Sequence, residues 1–267
     1  MKYIDFHTHI FPDKIAKQTM DALAADSGKY RPCADGTLKG LQDSMQRANI
    51  SASLVANIAT KPSQMYPLLE YCKEIKSSSI HPLVSFSPSN SPEEVEEMLG
   101  QAQREKIRGV KLHPQYQNFN IDDKWMYGFY ELIASCGLFV MFHSGFDLAY
   151  PGNTQADVER IKKIADWFKD LTIVCTHVGG WKQWDRISCL SNCANVYTET
   201  SLTLSEVSDE EFIKYISTFD EDRVLFGSDS PWTDQQEMLK RTAALKISDS
   251  RKEKMLYKNA ATLLQLV

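Results

Sequence analysis

Eight short apolar runs, each followed by a stretch with helical spacing, limit what this chain can fold into more than any other feature. The runs are "YIDFHTH", "ASLVANIAT", "HPLVSFSP", "IRGVKLHP", "LFVMFHSG", "LTIVCTHVGG", "NVYTETS" and "RVLFGSDSP". Several are apolar throughout, as strands covered on both faces should be. The stretches after them include "LKGLQDSMQRANI", "SQMYPLLEYCKEIK", "SPEEVEEMLGQAQREK" and "DKWMYGFYELIASCG". "TQADVERIKKIADWFKD", "WKQWDRISCLSNC", "SDEEFIKYISTF" and "DQQEMLKRTAALK" follow. Their apolar residues recur at helical intervals. Ser91 before Pro92, and Ser208 before Asp209, Glu210 and Glu211, mark helix starts, since each puts a capping hydroxyl ahead of an acidic first turn. Gly137 marks a helix stop. This alternation predicts an α/β protein, a (β/α)8 TIM barrel. A doubly wound open sheet shares the alternation and is the competing architecture.

A length of 267 residues suits one large domain, 1–267, with no linker or internal repeat to divide it. Residues 11–36 are too long for a simple strand-to-helix loop and carry Pro12, Gly28, Pro32 and Gly36. They read as a loop inserted over the barrel mouth. Residues 250–266 read as a C-terminal helix. The net charge of −5 comes without a basic stripe, which argues against nucleic acid as a partner. No apolar run approaches the roughly 18 residues needed to cross a bilayer. The chain enters its first strand without a signal-peptide pattern. Its six cysteines are scattered, so reduced thiols and a cytoplasmic location are expected.

The six histidines are placed unevenly. His7 and His9 end the first run, His113 the fourth, His143 the fifth and His177 the sixth; only His81 begins a run. Asp229 ends the eighth. Strand ends of a parallel barrel gather at one face, where catalysis takes place, so five histidines and Asp229 are expected on one rim. Residues i and i+2 of a strand share a face; His7 and His9 should therefore point together, as should Lys111 and His113. Neutral imidazoles with a carboxylate hold a divalent metal, zinc by default. Such an ion lowers the pKa of bound water to about 7, and a nearby carboxylate moves the proton. Plainer readings stand beside these. A strand-end histidine is often a hydrogen-bonded rim residue, Asp229 can cap a following helix, and Lys111 can pair with an acid. Trp181, Trp184 and Trp232 can anchor the core as well as line a binding surface. Cys189 and Cys193, four apart on one helix face, read as packing.

"IDFHTHIFP", "GVKLHP", "FHSG", "THVGG" and "FGSDSPW", in this order, resemble the amidohydrolase superfamily. The resemblance points to the amidohydrolase-related (amidohydrolase 2) branch that includes aminocarboxymuconate-semialdehyde decarboxylase and related metal-dependent hydrolases. "YKNAATLLQL" resembles that branch's last helix. The resemblance implies a distorted barrel of metal-dependent hydrolase type with a metal at its mouth. It implies that His7, His9, His143 and Asp229 ligate the metal, that Asp229 also carries the proton, and that His177 polarises or orients. It implies one divalent ion, Zn2+ by default, with a second if Lys111 is carbamylated. Unmodified, Lys111 would hold a substrate carboxylate, with His113 and Trp232 as further substrate contacts. The partner expected is a small molecule; a homodimer follows by analogy with relatives.

The leading expectation is hydrolysis of an amide, lactone or ester carbonyl by metal-activated water, with Asp229 and His177 catalytic. The alternative is non-oxidative decarboxylation of a small carboxylic acid, for which Lys111, Arg31 or Lys29 would grip the carboxylate. A barrel that binds metal or ligand without turnover is the non-catalytic reading.

Overall fold

The structure, a computed structural model, describes residues 2–266; the two end residues of the expected 1–267 domain lie outside the described residues. In chain order the elements begin β1 (Ile4–Thr8), α1 (Asp13–Asp26), α2 (Leu38–Ala48), β2 (Ala52–Val55), α3 (Met65–Ile75) and β3 (Ile80–Pro82). They continue α4 (Pro92–Arg104), β4 (Gly109–Leu112), α5 (Pro114–Gln117), α6 (Tyr127–Ser135), β5 (Phe139–Phe142) and α7 (Val158–Trp167). The last are β6 (Ile173–Cys175), β7 (Val196–Glu199), α8 (Asp209–Ile216), β8 (Val224–Leu225), α9 (Gln235–Ala244), α10 (Asp249–Glu253) and α11 (Asn259–Leu263). Among the described residues eight strands thus alternate with helices, except that only a 3-10 turn lies between β6 and β7, the element order of a (β/α)8 barrel. The expected caps are present: Ser91 and Ser208 each close a capping box, with Glu94 and Glu211. Among the described residues no helix is long and apolar enough to cross a membrane.

The chain forms two compact units. The first runs to Ala56, takes up Ser77–His81, and resumes from Glu199 onward. Within it β1 pairs β2 in parallel, with Ile4 opposite Ala52. Phe6 N donates to Phe226 O at 2.7 Å, and Thr8 bridges Ser230 in parallel. All five residues of β1 are buried, which is why the run carries Ile4 and Phe6 and alternates them with polar groups that need partners. Helices α2 and α9 pack together on this unit.

The second unit comprises Asn57–Lys76 and Pro82–Thr198. Its strands β4, β5, β6 and β7 pair in parallel and in sequence, Val110 opposite Val140, Val140 opposite Ile173 and Ile173 opposite Val196. Val84 bridges Val110 in parallel. Strands β4 and β5 are fully buried, as strands with two covered faces must be. Helix α4 packs on α3 and α6.

Three expectations are corrected. Residues 11–36 are not an open loop: they contain the 14-residue helix α1, which buries Ala16 and Met20 one turn apart. The rest of the segment is fastened to its own unit, with Phe11 N on Gly36 O and Cys33 N on Pro231 O, both at 2.7 Å. "WKQWDRISCLSNC" is not a helix; only Ile187–Leu190 forms a 3-10 turn. Its backbone and side chains are committed elsewhere: Trp181 N donates to Ser144 O, Trp184 Nε1 donates to His177 O, and Gln183 Oε1 accepts from Val158 N. Cys189 and Cys193 therefore share no helix face. The C-terminal helix is interrupted by a π-turn over Lys254–Lys258. There the Met255 carbonyl accepts Phe226 N at 2.9 Å, and Asn259 Nδ2 donates to Val224 O at 2.7 Å, so the segment locks β8 in place.

Candidate functional site

In the first unit, the backbone of β1 continues past its end and is bonded to the turn after β8. Asp229 N donates to His7 O at 2.8 Å and His9 N to Ser230 O at 2.7 Å. These two bonds fix His7, His9 and Asp229 beside one another. Asp229 sits at φ +65°, a left-handed conformation that few residues other than glycine, asparagine and aspartate adopt readily. It aims the carboxylate back at the histidines. Asp229 Oδ1 lies 3.1 Å from His9 Nε2 and 3.6 Å from His7 Nε2. The two rings meet edge to face, 4.9 Å between centroids. The sequence reading placed these three residues together, and they are together.

What it missed is the support behind His7. His7 Nδ1 donates to Glu199 Oε1 at 2.9 Å, and Ser201 Oγ lies 3.1 Å from the same nitrogen. A carboxylate only accepts, so the ring proton sits on Nδ1 and the Nε2 lone pair faces Asp229. Two imidazole nitrogens thus face one carboxylate oxygen. That donor set fits a divalent transition metal. The only sequence signal for Glu199 was a charged residue inside a run that reads as a buried strand.

A second buried carboxyl lies under this site. Asp5 Oδ1 accepts His7 N at 3.1 Å and Ser228 N at 2.9 Å. Oδ2 accepts Ser228 Oγ at 2.5 Å and Gln235 Nε2 at 2.7 Å. Burial pushes Asp5 up to about 6, against the pull of those four donors. A carboxyl held higher in the folded than in the unfolded chain stabilises below its unfolded pKa, and loses that contribution as pH rises through the folded value. In the metal-free protein the stability difference between wild type and Asp5→Asn should therefore change between pH 4 and pH 7. The wild type should lose ground by up to about 3 kcal/mol as pH rises. Urea melts at the two pH values measure this; parallel curves would contradict it.

Residues 27–36 approach the same unit's turns. Tyr30 donates its phenol to Glu206, and Lys29 Nζ pairs with Glu206 at 2.5 Å. Burial, then Glu206, then the charge of Asp229 raise Tyr30 well above the ordinary tyrosine range. Arg31 Nη1 folds back onto Gly28 O at 2.8 Å and Tyr30 O at 2.7 Å. Both cations suggested as alternative carboxylate grips are thus engaged within their own segment or with Glu206. Trp232 is tied to the site by its backbone, N to Asp229 O at 2.8 Å, with its side chain half-buried.

In the second unit, Lys111 in β4 is 1 % exposed. His113, just past the strand, is pinned by its backbone: its N donates to Gln117 Oε1 at 2.7 Å. Gln117 Nε2 in turn donates to Ala59 O and Phe86 O, both at 2.8 Å. His143 follows β5, and its Nε2 lies 3.0 Å from Phe146 O. A carbonyl only accepts, so Nε2 carries the proton and Nδ1 is the acceptor nitrogen. His177 Nε2 approaches that Nδ1 at 3.3 Å. His113 stacks on His143 at 4.1 Å and 7°. Asp147, another residue the sequence reading passed over, lies 3.4 Å from His113 Nε2 and 3.5 Å from His143 Nε2.

The electrostatics of this cluster follow from burial and crowding. Burial, then His113, His177 and Lys111, hold His143 well below the ordinary histidine range against the pull of Asp147. Neutral imidazole, the form that binds metals, is therefore its state at neutral pH. Burial works against ionisation of Asp147, yet His113, His143 and the Ala149 N–H hold it well below the usual carboxylate range. Ligand atoms of His113, His143 and Asp147 lie within 4.8 Å of one another. Two parallel rings cannot both aim an in-plane lone pair at one ion between them, and His143 Nε2–H is already donated. This trio is a hydrogen-bonded cluster, not a cation cage.

The turn after β6 is built tightly. His177 and Val178 sit at φ +58° and +53°, costly for a β-branched residue. Trp184 Nε1 holds His177 O at 2.9 Å. Gly145 (φ +84°) lets the β5 loop approach: a Cβ there would lie 2.3 Å from Trp181 N. The chain thus brings Lys111, His113, His143 and His177 together in one unit, as it brings His7, His9 and Asp229 together in the other.

The profile described as Amidohydrolase matches residues 4–266. No curated protein matches the chain in sequence. Among solved structures, an uncharacterised TIM-barrel protein from Bordetella bronchiseptica is similar over 99% of both chains at 22% identity, with a TM-score of 0.82. A 5-carboxyvanillate decarboxylase from Novosphingobium aromaticivorans, with bound manganese and a nitrobenzoic acid, is similar over 99% of this chain and 97% of its own. Its identity is 10% and its TM-score 0.75. A 2,6-dihydroxybenzoate decarboxylase bound to 2,6-dihydroxybenzoate is similar over 99% of both chains, at 13% identity and a TM-score of 0.74. These likenesses show the fold: a (β/α)8 TIM barrel.

Proposed function

The chain belongs to the amidohydrolase family, and from that premise we propose that it is a metal-dependent carboxy-lyase releasing CO2 from a small hydroxylated aromatic acid. The observation that carries this reading is the approach of His7 Nε2 and His9 Nε2 to the same oxygen, Asp229 Oδ1. Two imidazole nitrogens and a carboxylate oxygen suit a divalent ion, with zinc or manganese favoured by the ligand types. When bound, the ion supplies a fixed positive charge that attracts and orients the oxygens of an acid substrate.

The protein's own groups do the rest. Asp229, the one carboxylate among the three, takes up a proton from solvent and delivers it to the ring carbon that bears the carboxyl group. The bond to the carboxyl carbon then breaks, its electron pair restores the ring, and CO2 leaves. One proton taken up by carbon balances the CO2 lost. The second unit taken by itself offers a cation, Lys111, and the imidazoles of His113 and His177, groups that suit the oxygens of a carboxylic acid.

Hydrolysis of an amide, lactone or ester is the competing chemistry and would use the same proton carrier to deprotonate water. Decarboxylation is favoured because similar structures named with a substrate, 5-carboxyvanillate and 2,6-dihydroxybenzoate, are decarboxylases. The test is the product. The zinc- or manganese-loaded protein, offered ortho-hydroxylated aromatic acids, should release CO2 that is trapped as carbonate, with the decarboxylated phenol in equal amount. Turnover of amides, lactones or esters to new acids, with no CO2 from any aromatic acid, would overturn the reading.

A further inference from the structure

We propose that Glu199 is a positioning residue for the metal: buried at the end of β7, it locks His7 in the tautomer that leaves Nε2 as the ligating atom. The proposal rests on the reading of His7, His9 and Asp229 as a metal set.

A free imidazole divides its proton between two nitrogens, and a ring protonated on Nε2 would offer the ion no lone pair. Something must choose. Glu199 Oε1 does so by accepting Nδ1–H at 2.9 Å. The carboxylate cannot swing away from that task. Ser201 N donates to its Oε2 at 2.6 Å and Ser201 Oγ to its Oε1 at 2.7 Å. Residue 227 must be glycine for the head group to fit: a Cβ there would lie 2.2 Å from Glu199 Oε2 and 3.1 Å from His7 Cβ. Glu199 is 0 % exposed. A buried negative charge is costly unless it is matched; hydrogen bonds to a ligand histidine, with a cation beyond the ring, match it. Carboxylates so placed orient metal-bound histidines and strengthen them as donors. A plain strut tying Ser201 to β1 would need neither the charge nor the aim at Nδ1.

The two accounts separate by experiment. Zn2+ affinity is measured by competition with a chromophoric chelator for wild type, Glu199→Gln and Gly227→Ala. The His7 tautomer is read from the ring nitrogens by 15N NMR on the metal-free proteins. Glutamine keeps the volume but sets an amide N–H against either Ser201 N–H or His7 Nδ1–H. The expected result is wild-type His7 protonated on Nδ1, a loss or mixing of that tautomer in Glu199→Gln, and a fall in Zn2+ affinity of about 10–100-fold. Gly227→Ala should show the same pair of changes. If Glu199→Gln does not fold, Ser201→Ala carries both readouts, because it frees Glu199 without removing the charge. Wild-type affinity and tautomer in a folded Glu199→Gln, or Nε2–H in wild type, would overturn the inference alone. A wild type that takes up no Zn2+ would overturn the metal-site reading beneath it.

Discussion

Replacing His7 or His9 with alanine should leave a folded protein that purifies with almost no metal. The site has few donors, and both imidazoles face the same Asp229 oxygen. Loss of even an outer partner of a ligand histidine typically costs about 10–100-fold in affinity, so loss of the ligand itself should exceed the upper end of that range. His7→Ala should be the harsher of the two, because it also leaves the buried Glu199 without its ring partner. Metal content by elemental analysis, with circular dichroism to confirm the fold, measures both effects. Near-stoichiometric zinc in either variant would mean that the ion is held by other residues.

Asp229→Asn should separate proton transfer from metal holding. The amide preserves the side chain's shape and keeps one oxygen for His9 and His7, so most of the metal should remain. It cannot carry the proton. A positioned proton carrier contributes about 10²–10⁴ in rate, and kcat should fall by that factor, with a smaller change in KM. The left-handed φ of +65° at Asp229 helps here, because asparagine tolerates that conformation as well as aspartate does. Full activity in Asp229→Asn would remove the proton-carrier role while leaving the metal set untouched.

Much of this arrangement is legible in the chain because it is written in local patterns. Alternating apolar runs set the strands, serine–acid pairs set the starts of α4 and α8, and histidines at run ends mark the site. What was not legible depends on contacts between distant residues. Glu199 meets His7 across 192 positions, and nothing in "NVYTETS" says which way its carboxylate points. Asp147 is one acid in a loop until His113 and His143 stack beside it. The helix expected at 181–193 fails because Trp181, Gln183 and Trp184 spend their polar groups on neighbouring segments, an outcome that helical spacing does not record. Helix α1 was hidden for the opposite reason. Pro12 and Gly28 punctuate its ends as they would a loop, although Ala16 and Met20 carry the one-turn spacing of a buried face.

The proposed chemistry requires that the first-strand histidines and the eighth-strand aspartate hold a cation. Anomalous diffraction at the zinc edge, from crystals grown with excess zinc, tests it most directly. One strong peak is expected about 2.0–2.2 Å from His7 Nε2, His9 Nε2 and an Asp229 oxygen. A peak bound elsewhere, or metal-saturated crystals with none at these three residues, would contradict it.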